Sequence, residues 1–158
     1  MLPSIVPADN DLAEDPLPEL IIALREYTDL WRSRARHEAF NASLPVPLDS
    51  TEGWIIWRLD AQTATRAVDI ARATGIGKAG ISKALQRLHT RHLILLEPDS
   101  TDSRVTWVRL TERGRTVAAA MREAATDMIR ASVQGWTPEE QRTLAVLLTR
   151  LTRAQADS

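Results

Sequence analysis

A mainly α-helical chain carrying one small β element is what this sequence predicts, on three observations. Between Arg66 and Thr90, two short helical stretches are separated by Gly75-Ile-Gly77. In the second stretch Ile81, Ala84, Leu85 and Leu88 recur at three- and four-residue spacing, so they line one helix face. The apolar run His92–Glu97, the polar tip Pro98–Ser103 and the β-branched and aromatic run Arg104–Leu110 follow directly and read as two strands around a turn. Long amphipathic stretches stand on both sides. Two short helices joined by a Gly-containing turn form a helix-turn-helix, which places its second helix in the DNA major groove. The strand pair behind it makes this a winged helix-turn-helix.

Taken in order, residues 1–16 hold Pro3, Pro7 and Pro16 among acidic and small residues, which suits a loose arm. Residues 17–48 open with a helix from Leu17, where Pro16 and Pro18 are tolerated only in the first turn. Leu17, Leu20, Leu24, Tyr27 and Trp31 form a narrow seam suited to packing on another helix, and the two prolines of Leu44–Leu48 end it. Residues 49–114 begin with the capping box Asp49-Ser-Thr-Glu52. The helix it starts, rich in Trp54, Ile55, Ile56 and Trp57, is apolar almost all round and should be buried. Asp60–Ala64 is a turn, Thr65 caps the first helix of the motif, and Gly75 ends that helix. Thr111 caps a long helix to about Ser132, with Val117, Met121, Ala124 and Met128 on one stripe, and Gly135 closes it. In residues 115–158 a second capping box, Thr137-Pro-Glu-Glu140, opens a last helix striped by Leu144, Leu147, Leu148 and Leu151.

At 158 residues and 44% hydrophobic the chain has the length and composition of one domain with a sizeable core. It has no cysteine, which excludes disulfides and thiolate metal sites and suits a reducing cytoplasm. The first residues lack a basic start and a long apolar run, so no signal peptide is expected. No stretch approaches the roughly 18 apolar residues of a membrane span. The net charge of −1 is unevenly spread: residues 1–65 carry −6, residues 66–115 carry +5, and the rest is neutral. Positive charge is thus concentrated in the helix-turn-helix segment, as phosphate contact requires.

On the second helix of the motif, the face opposite the apolar stripe carries Ala79, Ser82, Lys83, Gln86, Arg87 and Thr90. It is small at its start and basic further on. Ala79, Ser82, Lys83 and Gln86 are expected to meet base edges, and Lys78, Arg87 and Arg91 to meet phosphates.

The element order, together with Asp99-Ser-Thr-Asp102-Ser-Arg104 at the wing and Leu110-Thr111-Glu-Arg-Gly114 after it, resembles the MarR family of bacterial transcription regulators. The resemblance covers roughly residues 17–151. It rests on the family's Asp-x-Arg wing motif, matched by Asp102 and Arg104 with Asp99 ahead of them, and on its Leu-Thr-x-x-Gly. It implies a homodimer in which the first and last helices intertwine, so that two winged helices read a pseudo-palindrome in double-stranded DNA. It further implies that Arg104 enters the minor groove while Asp102 orients it, a role in keeping with the attraction of guanidinium to a narrow minor groove. The fold class expected is therefore mainly α with a small β-wing: a winged helix-turn-helix plus N- and C-terminal dimerisation helices. Four positions depart from the family pattern: Ser103 stands where a second Arg is common, Gly77 replaces a Ser or Thr cap, Gly80 lies inside the recognition helix, and His92 occupies a usual Gly position.

The family also binds small aromatic effectors between its two lobes, and Trp31, His37, Phe40, Trp54 and Trp57 are the candidate lining of such a pocket. His89 and His92 are three apart near Glu97, but with no Cys and no further His beside them neither a metal nor a cofactor is expected. No nucleophile is paired with a base, so an enzyme is not expected. The expected function is a dimeric, sequence-specific DNA-binding regulator, most often a repressor. The alternative is a winged-helix module that binds a protein and not DNA, motivated by Ser103, Gly80 and the net charge.

Overall fold

The computed structural model describes residues 15–102 and 104–156. The arm expected over residues 1–16 lies, but for its last two positions, outside the described residues, as do Ser103 and the Trp31 side chain. The chain divides into two compact units, one ending at Ala39 and one starting at Phe40.

In the first unit, α1 (Leu17–Arg32) begins with Pro16 at its cap and Pro18 in its first turn, where a missing N–H costs nothing. One uninterrupted helix was expected here. Instead Ser33 swings to ψ 121°, and α2 (Arg34–Ala42) starts after it with the Ser33 carbonyl accepting from His37 N. Serine is a poor interior helix residue and a good boundary one, which is where it acts here. Leu17, Leu20, Ile21, Ile22, Tyr27 and Leu30 of α1 are all exposed.

The second unit contains a three-stranded antiparallel sheet in the order β1-β3-β2, formed by β1 (Thr65–Arg66), β2 (Ile94–Pro98) and β3 (Thr106–Leu110). Its central residue Val108 pairs with Thr65 on one side and Leu96 on the other and is fully buried. Around it pack α3 (Ser50–Asp60), α4 (Ala67–Thr74), α5 (Lys78–Thr90) and α6 (Glu112–Ser132), whose Ile55, Ile56, Ile70, Ile81, Leu88 and Val117 join Leu93 and Ile94 in the core. α7 (Pro138–Ala156) closes the chain.

Two local expectations are corrected. Thr65 does not cap α4. It is a buried strand residue whose hydroxyl donates to Gln62, and Arg66 stands at the cap position. A β-branched side chain opposite Val108 gives β3 its second edge partner, and no local pattern signals a two-residue strand. Nor is α3 buried all round. Glu52, Ile55, Ile56 and Leu59 form the inward stripe at helical spacing, and Trp57, off that stripe, is 47% exposed.

The helix boundaries follow the residues read for them. Gly75 ends α4 in the left-handed region at φ 65°. His92 takes φ 56° after α5, with His92 N bonded to His89 O at 2.9 Å and Leu93 N to Leu88 O at 3.0 Å. These are the two reverse hydrogen bonds of a Schellman ending, closed by the buried Leu88–Leu93 pair. Histidine thus takes the left-handed position that glycine favours. Thr137 and Glu140 cap α7 reciprocally, Glu140 Oε2 accepting from Thr137 N at 2.7 Å and Thr137 Oγ1 accepting from Glu140 N at 3.3 Å. Among the described residues of α7 with assigned exposure, none is buried. No described helix is long and apolar enough to cross a membrane.

Candidate nucleic-acid interface

α5 is the helix that the sequence offers to DNA. Its Ile81, Ala84, Leu85 and Leu88 are in the core, while Lys78, Ala79, Ser82, Lys83 and Gln86 are exposed along the other face. Lys78 and Lys83 form no ion pair with any described carboxylate, so both cations are available to an outside anion. Gly80 has an internal reason: a Cβ there would stand 2.9 Å from Ile76 Cγ2, so glycine lets the turn of the motif close against the helix.

Arg87 and Arg91 both have partners within the chain. Arg87 Nε donates to Glu52 Oε1 at 2.8 Å, and its NH2 donates to Asp49 Oδ2. Arg91 NH1 donates to Glu52 Oε2 at 3.0 Å and its NH2 to the Pro47 carbonyl at 2.6 Å. Both guanidinium groups, expected on phosphates, are engaged by the N-terminus of α3. The carboxylates there are those of the α3 capping box, which also form their mutual backbone bonds: Glu52 N to Asp49 Oδ1 at 2.8 Å and Asp49 N to Glu52 Oε2 at 3.1 Å. Hydrogen bonding to Glu52, foremost, holds the Arg87 guanidinium above its ordinary pKa. The sequence signalled Asp49 and Glu52 as a helix cap and nothing more.

The wing is built around Asp99, a residue matched to the motif but given no task. Asp99 Oδ1 accepts from Thr101 Oγ1 at 2.6 Å, Thr101 N at 2.8 Å and Asp102 N at 3.1 Å, and its Oδ2 accepts from the Trp107 indole Nε1 at 2.7 Å. An aspartate in a Pro-Asp-Ser-Thr tip signals an Asx turn, so this role could have been read. The Asp102 carboxylate accepts from the Arg104 backbone N at 3.0 Å. It therefore shapes the turn, whereas the guanidinium of Arg104 has no ion-pair partner among the described residues. Arg104 lies in that turn and not in a strand, β3 starting only at Thr106. The wing tip thus presents an unneutralised cation on a backbone fixed by two aspartates.

Thr101, through its hydroxyl, and then the Trp107 indole hold the Asp99 carboxyl well below the usual carboxylate range. A depressed pKa contributes stability above the unfolded value, near about 3.9, and loses it only as pH falls through the folded value. The Trp107 indole resonance in a 15N-edited spectrum should therefore stay fixed from neutrality down to about pH 4. In Asp99→Ala it should move, with faster exchange of the Thr101 and Asp102 amides. An unmoved resonance in that variant would remove Asp99 from the centre of the wing.

No family model matches the chain. The transcriptional regulator ZitR of Lactococcus lactis subsp. cremoris is 34% identical over 110 residues, covering 68% of this chain and 75% of ZitR. E. coli MarR, in the crystal structure of a mutant, superposes with a TM-score of 0.64 at 18% identity, over 90% of this chain and 99% of MarR. The chain belongs to the MarR family of transcriptional regulators. The transcriptional regulator AdcR of Streptococcus pyogenes serotype M6 is 30% identical over 94 residues, and the match spans 58% of this chain and 63% of AdcR. BpsR of Bordetella bronchiseptica, whose DNA binding is regulated by 6-hydroxynicotinic acid, superposes with a TM-score of 0.59 at 27% identity, over 81% of this chain and 98% of BpsR.

The MarR-type Leu-Thr-x-x-Gly has a clear physical basis here. Thr111 caps α6, its Oγ1 accepting from Gly114 N at 2.9 Å and donating to the His92 carbonyl at 2.7 Å. One threonine thus ties the start of α6 to the end of α5. The residues expected to line an effector pocket fall in both units. Trp31 and His37 belong to the first unit, and Phe40, Trp54 and Trp57 to the second. Phe40 and Trp54 pack against the core, Arg58 lies 5.9 Å over the Trp54 ring, and Trp57 faces outward. No group of three or more His, Cys, Asp or Glu able to hold a metal occurs among the described residues.

Proposed function

We propose that this chain is a homodimeric, sequence-specific DNA-binding repressor of MarR type, acting on the chromosome in the cytoplasm and reading a pseudo-palindromic operator. The observation that carries the reading is the exposed face of α5, small at Ala79 and Ser82 and cationic at Lys78 and Lys83, together with Arg104 on the wing, which has no ion-pair partner among the described residues. Ala79, Ser82, Lys83 and Gln86 meet base edges, Lys78 meets phosphate, and Arg104 enters the minor groove with its backbone held by Asp102. Two copies supply two such surfaces, with half-sites about one helical turn apart. The exposed apolar residues of α1 and α7 support the dimer, because so many exposed leucines and isoleucines need covering.

A small aromatic effector that favours one spacing of the two wings would release the DNA. The regulation of BpsR by 6-hydroxynicotinic acid supports this part of the reading. Sequencing genomic fragments retained by the purified protein identifies the operator. On that operator, Arg104→Ala should weaken binding by about 1–3 kcal/mol in a gel-shift titration. Unchanged affinity would take Arg104 out of the groove. Binding to duplex DNA that is insensitive to salt would favour the protein-interaction module instead, since phosphate contact must release counterions.

A further inference from the structure

The recognition helix and the residue just after it carry four cations, Lys78, Lys83, Arg87 and Arg91, of which Arg87 and Arg91 are ion-paired within the chain. The Glu52 side chain is only 4% exposed, and its two oxygens take Arg87 Nε at 2.8 Å and Arg91 NH1 at 3.0 Å. Asp49 takes the second arm of Arg87, and the Pro47 carbonyl takes the second arm of Arg91. Arg87 and Arg91 are one helical turn apart, so one carboxylate bridges both. A carboxylate grips guanidinium in the same forked way that a phosphate does. The α3 N-terminus therefore occupies the donors that a DNA backbone would use.

We propose that Glu52 is a positioning residue for DNA reading: with Asp49 it withholds Arg87 and Arg91 from the phosphates and uses them to lock α5 against α3. The number of phosphates neutralised, and with it the salt dependence, is then set by the lysines and Arg104. The orientation in which Ser82, Lys83 and Gln86 meet a base depends on a buried carboxylate that touches no DNA. This rests on α5 being the DNA-reading helix.

The test measures the slope of log affinity against log salt on a duplex of scrambled sequence, and affinity on the operator, for folded variants matched by circular dichroism. Each phosphate contact contributes about 0.9 to that slope. Lys78→Gln should reduce the slope by about 1.8, one phosphate contact being lost in each of the two copies, whereas Arg87→Gln should leave it unchanged. Glu52→Gln should steepen it by about 1.8 to 3.6 as one or both arginines of each copy reach the backbone, and should narrow the operator preference over scrambled duplex. A purely structural role for Glu52 would lower stability without steepening the slope. If Arg87→Gln lowers the slope as Lys78→Gln does, Arg87 already contacts phosphate and the proposal is wrong. It is equally wrong if a folded Glu52→Gln keeps the wild-type slope. Should Glu52→Gln fail to fold, the Arg87→Gln and Lys78→Gln pair still decides. If neither of that pair changes the slope, the assignment of α5 to DNA fails instead, and this inference falls with it.

Discussion

Gly114→Ala is expected to destabilise the protein more than any other single methyl addition at a glycine. A Cβ at this position would stand 2.0 Å from the Leu93 carbonyl oxygen and 3.0 Å from its carbon. Neither atom can retreat cheaply. The Leu93 carbonyl accepts from Thr111 N at 3.1 Å, Leu93 N closes the Schellman ending of α5, and the Leu93 side chain is fully buried. Relief requires α6 to lift from the start of β2, which strips the Thr111 cap of its tie to His92. The cost is about 3 kcal/mol or more, or a fall in Tm of roughly 6–12 °C for a chain of this size. Gly53→Ala is the matched control. Its Cβ would meet only Met121 Cε at 3.8 Å, and alanine inside α3 should be neutral or stabilising by about 0.5–1 kcal/mol. Thermal unfolding followed by circular dichroism measures both, and a Gly114→Ala protein melting with the wild type would refute the close approach.

Charging the leucine stripe of α7 is expected to abolish operator binding without unfolding the chain. Leu144, Leu147, Leu148 and Leu151 are all exposed, Leu147 at 54%, so Leu144→Glu with Leu147→Glu removes little buried surface from a single copy. The same residues at the centre of a two-copy interface would bury carboxylates without partners, which dissociates it. A monomer loses the second half-site and with it about 10²–10⁴ of avidity. Sedimentation should show a folded monomer, and a gel shift should show only weak, salt-sensitive binding. A double variant that remains dimeric with wild-type operator affinity would exclude α7 from the interface.

Much of this architecture is legible from local signals. The capping residues Asp49 and Glu52, Thr111, and Thr137 with Glu140 each stand at a helix start, and Gly75 stands at a helix end. The apolar spacing of Ile81, Ala84, Leu85 and Leu88 told which face of α5 is buried, and the exposed lysines opposite follow from it. Each of these signals acts over one or two helical turns, within reach of backbone periodicity. Ser33 was missed because a serine in a helical pattern differs little from its neighbours until the chain turns there. Asp99 was legible as a turn former, but its bond to Trp107 joins positions across the wing.

By itself the sequence determined the order of α3 to α7 and the two wing strands, the caps of α3, α6 and α7, the buried and exposed faces of α5, and the motif residues at the wing. Only the tertiary structure decided that Thr65 is a strand residue opposite Val108, that Trp57 faces outward, and that Arg87 and Arg91 belong to Glu52. Those outcomes depend on residues far apart along the chain, 35 positions in the case of Arg87 and Glu52. A side chain carries its charge and shape in the sequence. Which opposite charge it meets is set by how the helices pack, and a cation suited to phosphate is equally suited to a buried carboxylate that lies nearer.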